Sequence, residues 1–260
     1  MRIGIIGKGY VGNAVKKGFE SKGFTVKVYD KFKESDSFEE IAACDFNFVC
    51  VPTPPKDDGS IDLSMTDEVI GRFTQADFRG IIVIKSTVIP GTAQGYQNKN
   101  PNLIIVSNPE FLTRSTAEYD FLNPDKIIIG FTAGDELAAR ELAMLYKDFG
   151  AQIRIIKSEE AEMVKYMINS YYATRVIFAN EIYDICQVMN IDYEKVRACF
   201  ELDKRVAPGH FEVFHGGYRG IGGDCLPKDT DALIAKSESL GFTPELLKIF
   251  RRINQRLRGI

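Results

Sequence analysis

The sequence predicts an α/β fold, in which a domain built on a parallel sheet is followed by an all-helical domain with one long central helix. Short, continuous apolar runs alternate with helix-like stretches in the first half of the chain. This pattern is typical of parallel strands that helices cover on both faces. After residue 157 the strand-like runs stop, and Glu159–Met189 contains neither proline nor glycine. The second half is therefore predicted to be helical.

Each strand and helix of the first half is predicted from its apolar pattern. The predicted strands are Ile3–Ile6, Thr25–Tyr29, Phe46–Val51, Ile81–Ile84, Leu103–Val106, Lys126–Phe131 and Gln152–Ile156. The helix-like stretches between them are Val11–Lys22, Leu63–Phe73 and Asp135–Phe149. Because a strand, a helix and a second strand join a sheet as parallel neighbours through a right-handed crossover, we expect one parallel sheet.

The second half is predicted to be organised around the helix Glu159–Met189. Ser158 can cap its start, and the acidic residues 159, 160 and 162 complement its dipole. Apolar side chains occupy more than one of its faces, so either the helix forms part of a homodimer interface or it is buried inside a monomer. Asp192–Phe200 and Pro244–Arg258 are further predicted helices, and the glycine-rich stretch 208–224 is a loop. We place the domain boundary near Lys157, which divides the chain into residues 1–157 and 158–260.

Composition excludes several classes of function. Lys and Arg number 33 against 36 Asp and Glu, and the net charge of −3 with no basic block argues against a nucleic-acid or membrane partner. No apolar run reaches the roughly 18 residues of a membrane span. The cysteines are odd in number, at 5, and show no CxxC spacing, which favours a reducing compartment, the cytoplasm, over disulfides or zinc. With only 2 histidines, we expect no metal site.

A glycine-rich turn joins the first predicted strand to the first predicted helix. Its sequence, Gly7-Lys8-Gly9-Tyr10-Val11-Gly12, has the GxGxxG spacing of a Rossmann-like dinucleotide site. Gly7 permits the tight turn, Gly9 lets the backbone approach a pyrophosphate, and Gly12 lets the helix pack on the strand. Asp30 ends the second strand, where a carboxylate binds ribose hydroxyls and repels a 2′-phosphate. The predicted cofactor is therefore NAD, although the neighbouring Lys31 weakens the preference over NADP.

Polar residues with catalytic potential follow the strands and lie on the long helix. Ligands bind beyond the carboxyl ends of parallel strands, which here carry Thr53, Lys85-Ser86-Thr87 and Ser107-Asn108-Pro109-Glu110. We therefore expect the chemistry in the cleft between the two domains. Lys165 and Asn169 are one helical turn apart and share a face. Lys165 either has such a role or extends past its apolar neighbours to the surface.

Cys225 is the residue of the second half that best fits a nucleophile. It lies in Gly222-Gly223-Asp224-Cys225-Leu226-Pro227-Lys228-Asp229, where Pro227 suits the first turn of a helix. The helix dipole and Lys228 would then stabilise a thiolate. A thiolate next to NAD suggests that an alcohol is oxidised to an aldehyde, captured as a thiohemiacetal, oxidised to a thioester and hydrolysed to an acid. The alternative for Cys225 is a small buried apolar side chain, which is our interpretation of the other cysteines.

These motifs together resemble the UDP-glucose/GDP-mannose dehydrogenase family. The matching segments, in the order of the family and over most of the chain, are Gly7–Gly12, Val51–Pro54 with Asp62–Ser64, Lys85–Val88, Ser107–Leu112 with Asn123–Asp125, Ala161–Lys165 with Asn169, Asp203–Arg205 and Gly222–Asp229. The resemblance implies an NAD-dependent enzyme of nucleotide-sugar metabolism and polysaccharide biosynthesis. Its substrate would be a nucleotide sugar of the UDP-glucose type, oxidised to the uronate with two NAD reduced per turnover.

The resemblance also implies a role for each candidate residue. Cys225 would be the nucleophile, Lys165 and Asn169 would hold the oxyanions, and Asp229 would assist proton transfer. Thr87 and Glu110 would orient the hydrolytic water, with Glu110 as the base. The cofactor would contact Gly7, Gly9, Tyr10, Val11, Gly12, Asp30, Lys31, Thr53, Thr87 and Lys228. The substrate would contact Glu110, Phe111, Leu112, Lys165, Asn169 and Gly222, and Arg205 would reach the sugar in a neighbouring subunit.

The sequence also departs from the family. Arg114 and Ser115 stand where an acid and a glycine are usual, and Asp224 stands where serine is common. Family enzymes continue into a second Rossmann-like domain, and this sequence stops about where that domain would begin. Two alternatives to the two-step enzyme therefore stay open. One is a single-step hydroxyacid dehydrogenase, and the other is an NAD-binding module that needs a partner domain for catalysis.

Overall fold

A computed structural model describes residues 1–259 and divides them into two compact units. The first comprises Met1–Pro54 and Ile61–Lys165, and the second comprises Pro55–Ser60 and the chain from Tyr166 onward. The predicted fold class, a sheet domain followed by a helical domain with one long helix, is confirmed. The division at Lys157 stays a prediction, and its last residue, Ile260, lies outside the described residues.

The first unit is built on a seven-stranded sheet with the order β2-β1-β3-β4-β5-β6-β7. The strands are β1 (Arg2–Ile6), β2 (Thr25–Tyr29), β3 (Phe46–Val49), β4 (Ile81–Ile84), β5 (Ile104–Ser107), β6 (Lys126–Phe131) and β7 (Gln152–Lys157). Chain order reverses around β1, because β2 pairs with one of its edges and β3 with the other. Such a reversal is where α/β sheets form their ligand crevice.

One strand pairing corrects the expectation of a uniformly parallel sheet. β5 and β6 are antiparallel and pair only at their ends, through Val106 with Phe131 and Ser107 with Gly130. β7 then pairs with β6 in parallel. The connection between β5 and β6 contains a 3-10 turn at Arg114–Thr116 and the short helix 117–122, and it does not cross over the sheet to make a parallel pair.

Helices cover both faces of the sheet. They are α1 (Tyr10–Ser21), α2 (Phe38–Ala42), α3 (Ser64–Gln75), α4 (Thr92–Lys99), α5 (Ala117–Leu122) and α6 (Glu136–Leu145). One apolar core joins α1, α5 and α6 to the sheet, and a second joins α2, α3 and α4 to its other face. Phe19 of α1 anchors the first core, where its ring contacts those of Phe121, Tyr146 and Phe149. This burial on both faces explains why the strands read as continuous apolar runs.

The long helix α7 (Ser158–Val188) is the predicted central helix and has 31 residues. The second unit contains its larger part together with α8 (Tyr193–Phe200), α9 (Leu226–Ser239) and α10 (Glu245–Arg258). Ala173 and Ile177 of α7 pack with Ile221 and with apolar residues of α10. The loop predicted for 208–224 extends over residues 201–225, and buried Arg175 of α7 holds it by donating to the backbone oxygens of Ala207 and Gly209. Among residues 1–259, no helix combines the length and the apolar character needed to cross a membrane.

Candidate active site

The glycine-rich turn has the shape that a dinucleotide requires. Gly7 has φ of 104°, and a Cβ there would lie 2.6 Å from the backbone oxygen of Cys50, the residue that follows β3. A Cβ on Gly12 would overlap the backbone oxygen of Gly7. Around Gly9, by contrast, a Cβ would meet nothing within 4 Å, and no side chain caps the start of α1. The turn is therefore closed on its protein side and open where a pyrophosphate would meet the N–H groups of Tyr10 and Val11.

Asp30 lies at the end of β2, beside this turn. Its Oδ2 accepts a hydrogen bond from the Lys8 N–H at 2.7 Å, and its Oδ1 accepts one from the Phe32 N–H at 2.9 Å. Burial opposes ionisation, but these two N–H groups, together with the charge and the N–H of Lys33, outweigh it and hold the pKa of Asp30 below its usual value. The ionised Asp30 carboxylate can therefore accept hydrogen bonds from ribose hydroxyls. Lys31 points its ammonium at Glu68, at 2.8 Å, so its charge is directed to that carboxylate.

Thr53 and Thr87 meet at the carboxyl ends of β3 and β4. Thr53 is buried, and its hydroxyl donates to the Thr87 backbone oxygen at 2.8 Å. Ser86 secures the same segment by donating to the Val51 backbone oxygen at 2.7 Å. Thr87 and Lys165 line one small void. The structure thus brings together the β3, β4 and α7 candidates within the first unit.

Lys165 and Glu110 form a buried ion pair. Lys165 Nζ lies 3.0 Å from Glu110 Oε1, and each residue is only 5% exposed. Glu110 Oε2 accepts the Leu112 N–H at 2.6 Å, so both carboxylate oxygens are bound. Phe111 covers the pair, with its ring centroid 5.8 Å from Lys165 Nζ. Lys165 therefore does not extend to the surface, which removes that alternative.

In the second unit, Asn169 and the segment around Cys225 come together. Asn169 Nδ2 donates to Asp229 Oδ2 at 2.5 Å, and both side chains are buried. Cys225 immediately precedes α9, and its backbone oxygen accepts the Asp229 N–H at 2.9 Å. Lys228 pairs with Asp229 Oδ1 at 2.6 Å. The thiol is thus carried at a helix N-terminus, one turn from a carboxylate that an amide and an ammonium both contact.

Two further predicted site residues, Arg205 and Gly222, lie in the loop between α8 and α9. Arg205 is exposed and pairs with Asp203 at 2.5 Å. Gly222 packs against Tyr218, whose hydroxyl a Cβ at position 222 would overlap. Arg114, which replaces the acid usual in the family, lies with its guanidinium 5.2 Å from the ring centroid of Tyr10.

Sequence reasoning did not predict the contacts of two buried polar groups of the first unit, although it placed Lys85 among the candidate polar residues at the strand ends. Lys85 follows β4 and donates to Asn108, which also accepts the Tyr146 hydroxyl. Glu162 was expected to complement the dipole of its own helix. Instead, its carboxylate accepts the N–H groups of Gly91 at 2.6 Å and of Ala93 at 3.0 Å, at the start of α4. For Lys85 and Glu162, the sequence signal of burial was a charged residue within or next to an apolar stretch.

Comparison with known proteins agrees with this geometry. Residues 29–150 match the NAD binding domain of the UDP-glucose/GDP-mannose dehydrogenase family, and residues 159–256 match its central domain. UDP-glucose 6-dehydrogenase AglM of Haloferax volcanii is 31% identical over 98% of this chain and 69% of its own length.

Two solved structures are similar over nearly the whole chain. A UDP-glucose dehydrogenase from the archaeon Pyrobaculum islandicum superposes with a TM-score of 0.88 at 33% identity, covering 98% of this chain and 68% of that one. A UDP-D-ManNAc dehydrogenase from Pyrococcus horikoshii gives 0.83 at 25% identity, covering 99% and 69%.

A sheet unit with a dinucleotide turn, followed by a helical unit with a thiol at a helix start, defines an NAD-dependent dehydrogenase. The chain belongs to the UDP-glucose/GDP-mannose dehydrogenase family, as its motifs indicate. Gly7–Gly12 and Asp30 fit its cofactor NAD, which accepts hydride when bound.

Proposed function

We propose that this protein oxidises the primary alcohol of a UDP-glucose-type nucleotide sugar to the uronate, through a thioester on Cys225. The overall change is alcohol plus water plus two NAD⁺ to carboxylate, two NADH and three protons. The observation that carries the proposal is the contact of Asn169 with Asp229, one helical turn from Cys225. A single-step dehydrogenase needs neither a thiol nor a carboxylate at that point.

In the first oxidation, NAD⁺ when bound would accept the hydride from the alcohol, and the protein would accept the hydroxyl proton. Lys165 is suited to stabilise the developing oxyanion, because the buried Glu110 offsets the cost of burying its ammonium. Asn169 would donate to the same oxygen. Asp229, which holds Asn169, would take the proton that leaves the thiol.

The Cys225 sulfur then adds to the aldehyde carbon, and the oxyanion of this thiohemiacetal is protonated. Loss of that proton and transfer of a second hydride to a second NAD⁺ would give the thioester. In the last step Glu110 removes a proton from water, the water oxygen bonds to the carbonyl carbon, and the C–S bond breaks to return the thiol. Thr87 lies beside Lys165, where it can orient this water.

The test measures stoichiometry and the covalent adduct together. We expect about two NADH per UDP-glucose consumed, and a Cys225→Ser variant that still binds NADH but forms no uronate. Intact-mass measurement should find a sugar adduct in Glu110→Gln and none in Cys225→Ser. A ratio near one NADH per substrate would instead support the single-step hydroxyacid-type enzyme. NAD binding without nucleotide-sugar binding would support an NAD-binding module that depends on a partner domain.

We also propose that α7 forms a homodimer with a second copy. Four apolar side chains on one stripe of the helix, and Met189 directly after its last residue, are between 47% and 72% exposed; the four are Met167, Tyr171, Phe178 and Ile185. Their spacing repeats along the helix, so two copies related by a two-fold axis can bury the stripe against itself. Phe178→Glu should yield monomers in sedimentation, whereas Leu137→Glu, at an exposed leucine of α6, should not. Unchanged sedimentation of Phe178→Glu would exclude this surface.

The proposed setting is the reducing cytoplasm, which the odd number of cysteines favours. The uronate product would serve polysaccharide biosynthesis. Which nucleotide sugar is preferred is tested by titrating UDP-glucose, GDP-mannose and UDP-ManNAc with NADH fluorescence as the readout.

A further inference from the structure

Lys85 is a buried cation to which the proposed reaction gives no task. It follows β4 directly and is 5% exposed. Its ammonium donates to the Asn108 backbone oxygen at 3.2 Å and to Asn108 Oδ1 at 2.9 Å. Burying an ammonium is costly, and an apolar side chain of similar volume commonly serves stability as well. Lys85 therefore indicates a role beyond packing.

Asn108 connects Lys85 to the surrounding backbone through hydrogen bonds. The Asn108 side chain is buried, its Nδ2 donates to the Ile128 backbone oxygen at 2.8 Å, and its Oδ1 also accepts the Tyr146 hydroxyl at 2.7 Å. Its own N–H donates to the Ile84 backbone oxygen at 2.8 Å. This network fixes the position and the rotamer of Asn108.

Glu110 is two residues beyond Asn108, and Pro109 between them restricts the backbone. The position of the Glu110 carboxylate therefore depends on where Asn108 is held. A cavity of about 230 Å³ lies on this side of the segment, and Lys85, Asn108, Glu110 and Tyr146 are among its lining residues. A cavity of this size with polar walls has room for several water molecules.

The charges around Lys85 support a link to Glu110. Burial lowers the pKa of Lys85 to about 8, the Cys50 thiol and the Glu110 carboxylate act to raise it, and Lys165 acts to lower it. Lys85 and Lys165 thus both influence the carboxylate that the hydrolytic step uses. A mild change of pH or a single substitution at Lys85 alters the charge that Glu110 experiences.

We propose that Lys85 is a positioning residue for thioester hydrolysis: through Asn108 it holds the segment that carries Glu110, and with Tyr146 it lines the cavity that supplies the water. This inference rests on the proposed function, because it needs a thioester to hydrolyse. Lys85 does not touch the reacting atoms, so it should leave both oxidations nearly unchanged.

The test uses Lys85→Met in the full chain, with Lys147→Met as the matched control at an exposed lysine next to Tyr146. On mixing with NAD and UDP-glucose, Lys85→Met should release a first burst of about two NADH per subunit and then turn over at least about tenfold more slowly. Intact mass should show the sugar adduct on Cys225 accumulating. Tyr146→Phe, which removes only one hydroxyl, should keep the fold and show the same slowing to a smaller degree.

The outcomes separate this inference from the function on which it rests. The role of Lys85 would be overturned if Lys85→Met and Tyr146→Phe turned over like the wild type and accumulated no adduct. The thioester would stay in place if Glu110→Gln still accumulated the adduct. Absence of adduct in Glu110→Gln as well would remove the thioester itself. A smaller initial burst in Lys85→Met would show that it acts before hydrolysis, which also overturns the inference. If Lys85→Met fails to fold, Tyr146→Phe decides.

Discussion

Lys165 Nζ lies 3.0 Å from Glu110 Oε1, with both residues 5% exposed. The proposed oxyanion donor and the proposed base for water are therefore one buried ion pair rather than two independent groups. Each charge offsets the cost of burying the other. A change at Lys165 alone should consequently disturb the first oxidation and the stability of the fold together.

The first prediction concerns that coupling. Lys165→Met should lower the free energy of unfolding by about 3–5 kcal/mol, because it leaves the Glu110 carboxylate buried without a cation. The double variant with Glu110→Gln should be more stable than Lys165→Met alone. Urea unfolding measures both, and Lys248→Met, which breaks an exposed pair with Glu238, should cost less than about 1 kcal/mol. Additive losses in the double variant would contradict the coupling.

The second prediction separates two glycines of the cofactor turn. Gly9→Ala should fold like the wild type, because the position of its Cβ is open, but it should weaken NADH binding about tenfold or more by blocking the pyrophosphate. Gly7→Ala should instead destabilise the fold, because φ is 104° and the Cys50 backbone oxygen is 2.6 Å from the added carbon. Thermal unfolding and NADH fluorescence distinguish the two, and full NADH affinity in Gly9→Ala would exclude the assigned site.

The third prediction follows from Glu162. Burial raises the pKa of Glu162 to about 8, although the N–H groups of Ala93, Gly91 and Thr92 act to lower it. The folded form thus binds the proton more tightly than the unfolded chain. This tighter proton binding stabilises the folded form fully below about pH 4.5. The stabilisation falls as the pH rises and is lost at about pH 8, and the total loss is up to about 5 kcal/mol in the free energy of unfolding. Glu162→Gln should lack this loss in urea unfolding at pH 5, 6.5 and 8.5, whereas exposed Glu160→Gln should keep it. Parallel pH curves for the wild type and Glu162→Gln would contradict the prediction.

The fourth prediction concerns cofactor choice. Asp30→Asn removes the negative charge and one of the two acceptors for the Lys8 and Phe32 N–H groups. The dissociation constant of NADH should rise about tenfold, and the preference for NADH over NADPH should narrow. Fluorescence titration with each cofactor measures this, with Asp77→Asn, at an exposed acid, as the control. An unchanged preference would mean that another residue discriminates the 2′-phosphate.

Strong local patterns made the sheet and the cofactor turn predictable from sequence. The buried strands and α7 appear within a few residues of their predicted ends, because apolar runs and the absence of breakers are local features. The short helix α2 was missed, although Ser37 and Glu40 form a capping box that signals its start. α4 carries no clear apolar period, so nothing in its own sequence identified it.

Partners that are distant in sequence were less predictable. Lys165 and Glu110 are separated by 55 residues, and only the family resemblance assigned both to one site. In the sequence, Glu162 looks like any acidic residue near the start of a helix. Its contact with the start of α4 exists only in the folded chain, so the sequence did not predict it. The antiparallel pairing of β5 and β6 depends on two residue pairs at the strand ends, which leave no periodic signal.

The reversed strand β6 also packs closely against the start of α7, which follows it in the chain. Gly130, near its end, lies so close to the start of α7 that a Cβ there would be 2.7 Å from Ser158 Cα and 2.8 Å from Ala161 Cβ. The first turns of α7 thus pack closely on β6, which precedes them in the chain. On the ribosome, a nascent chain can therefore complete its nucleotide turn, which needs only the first three strands, before it contains Lys165, the proposed oxyanion donor.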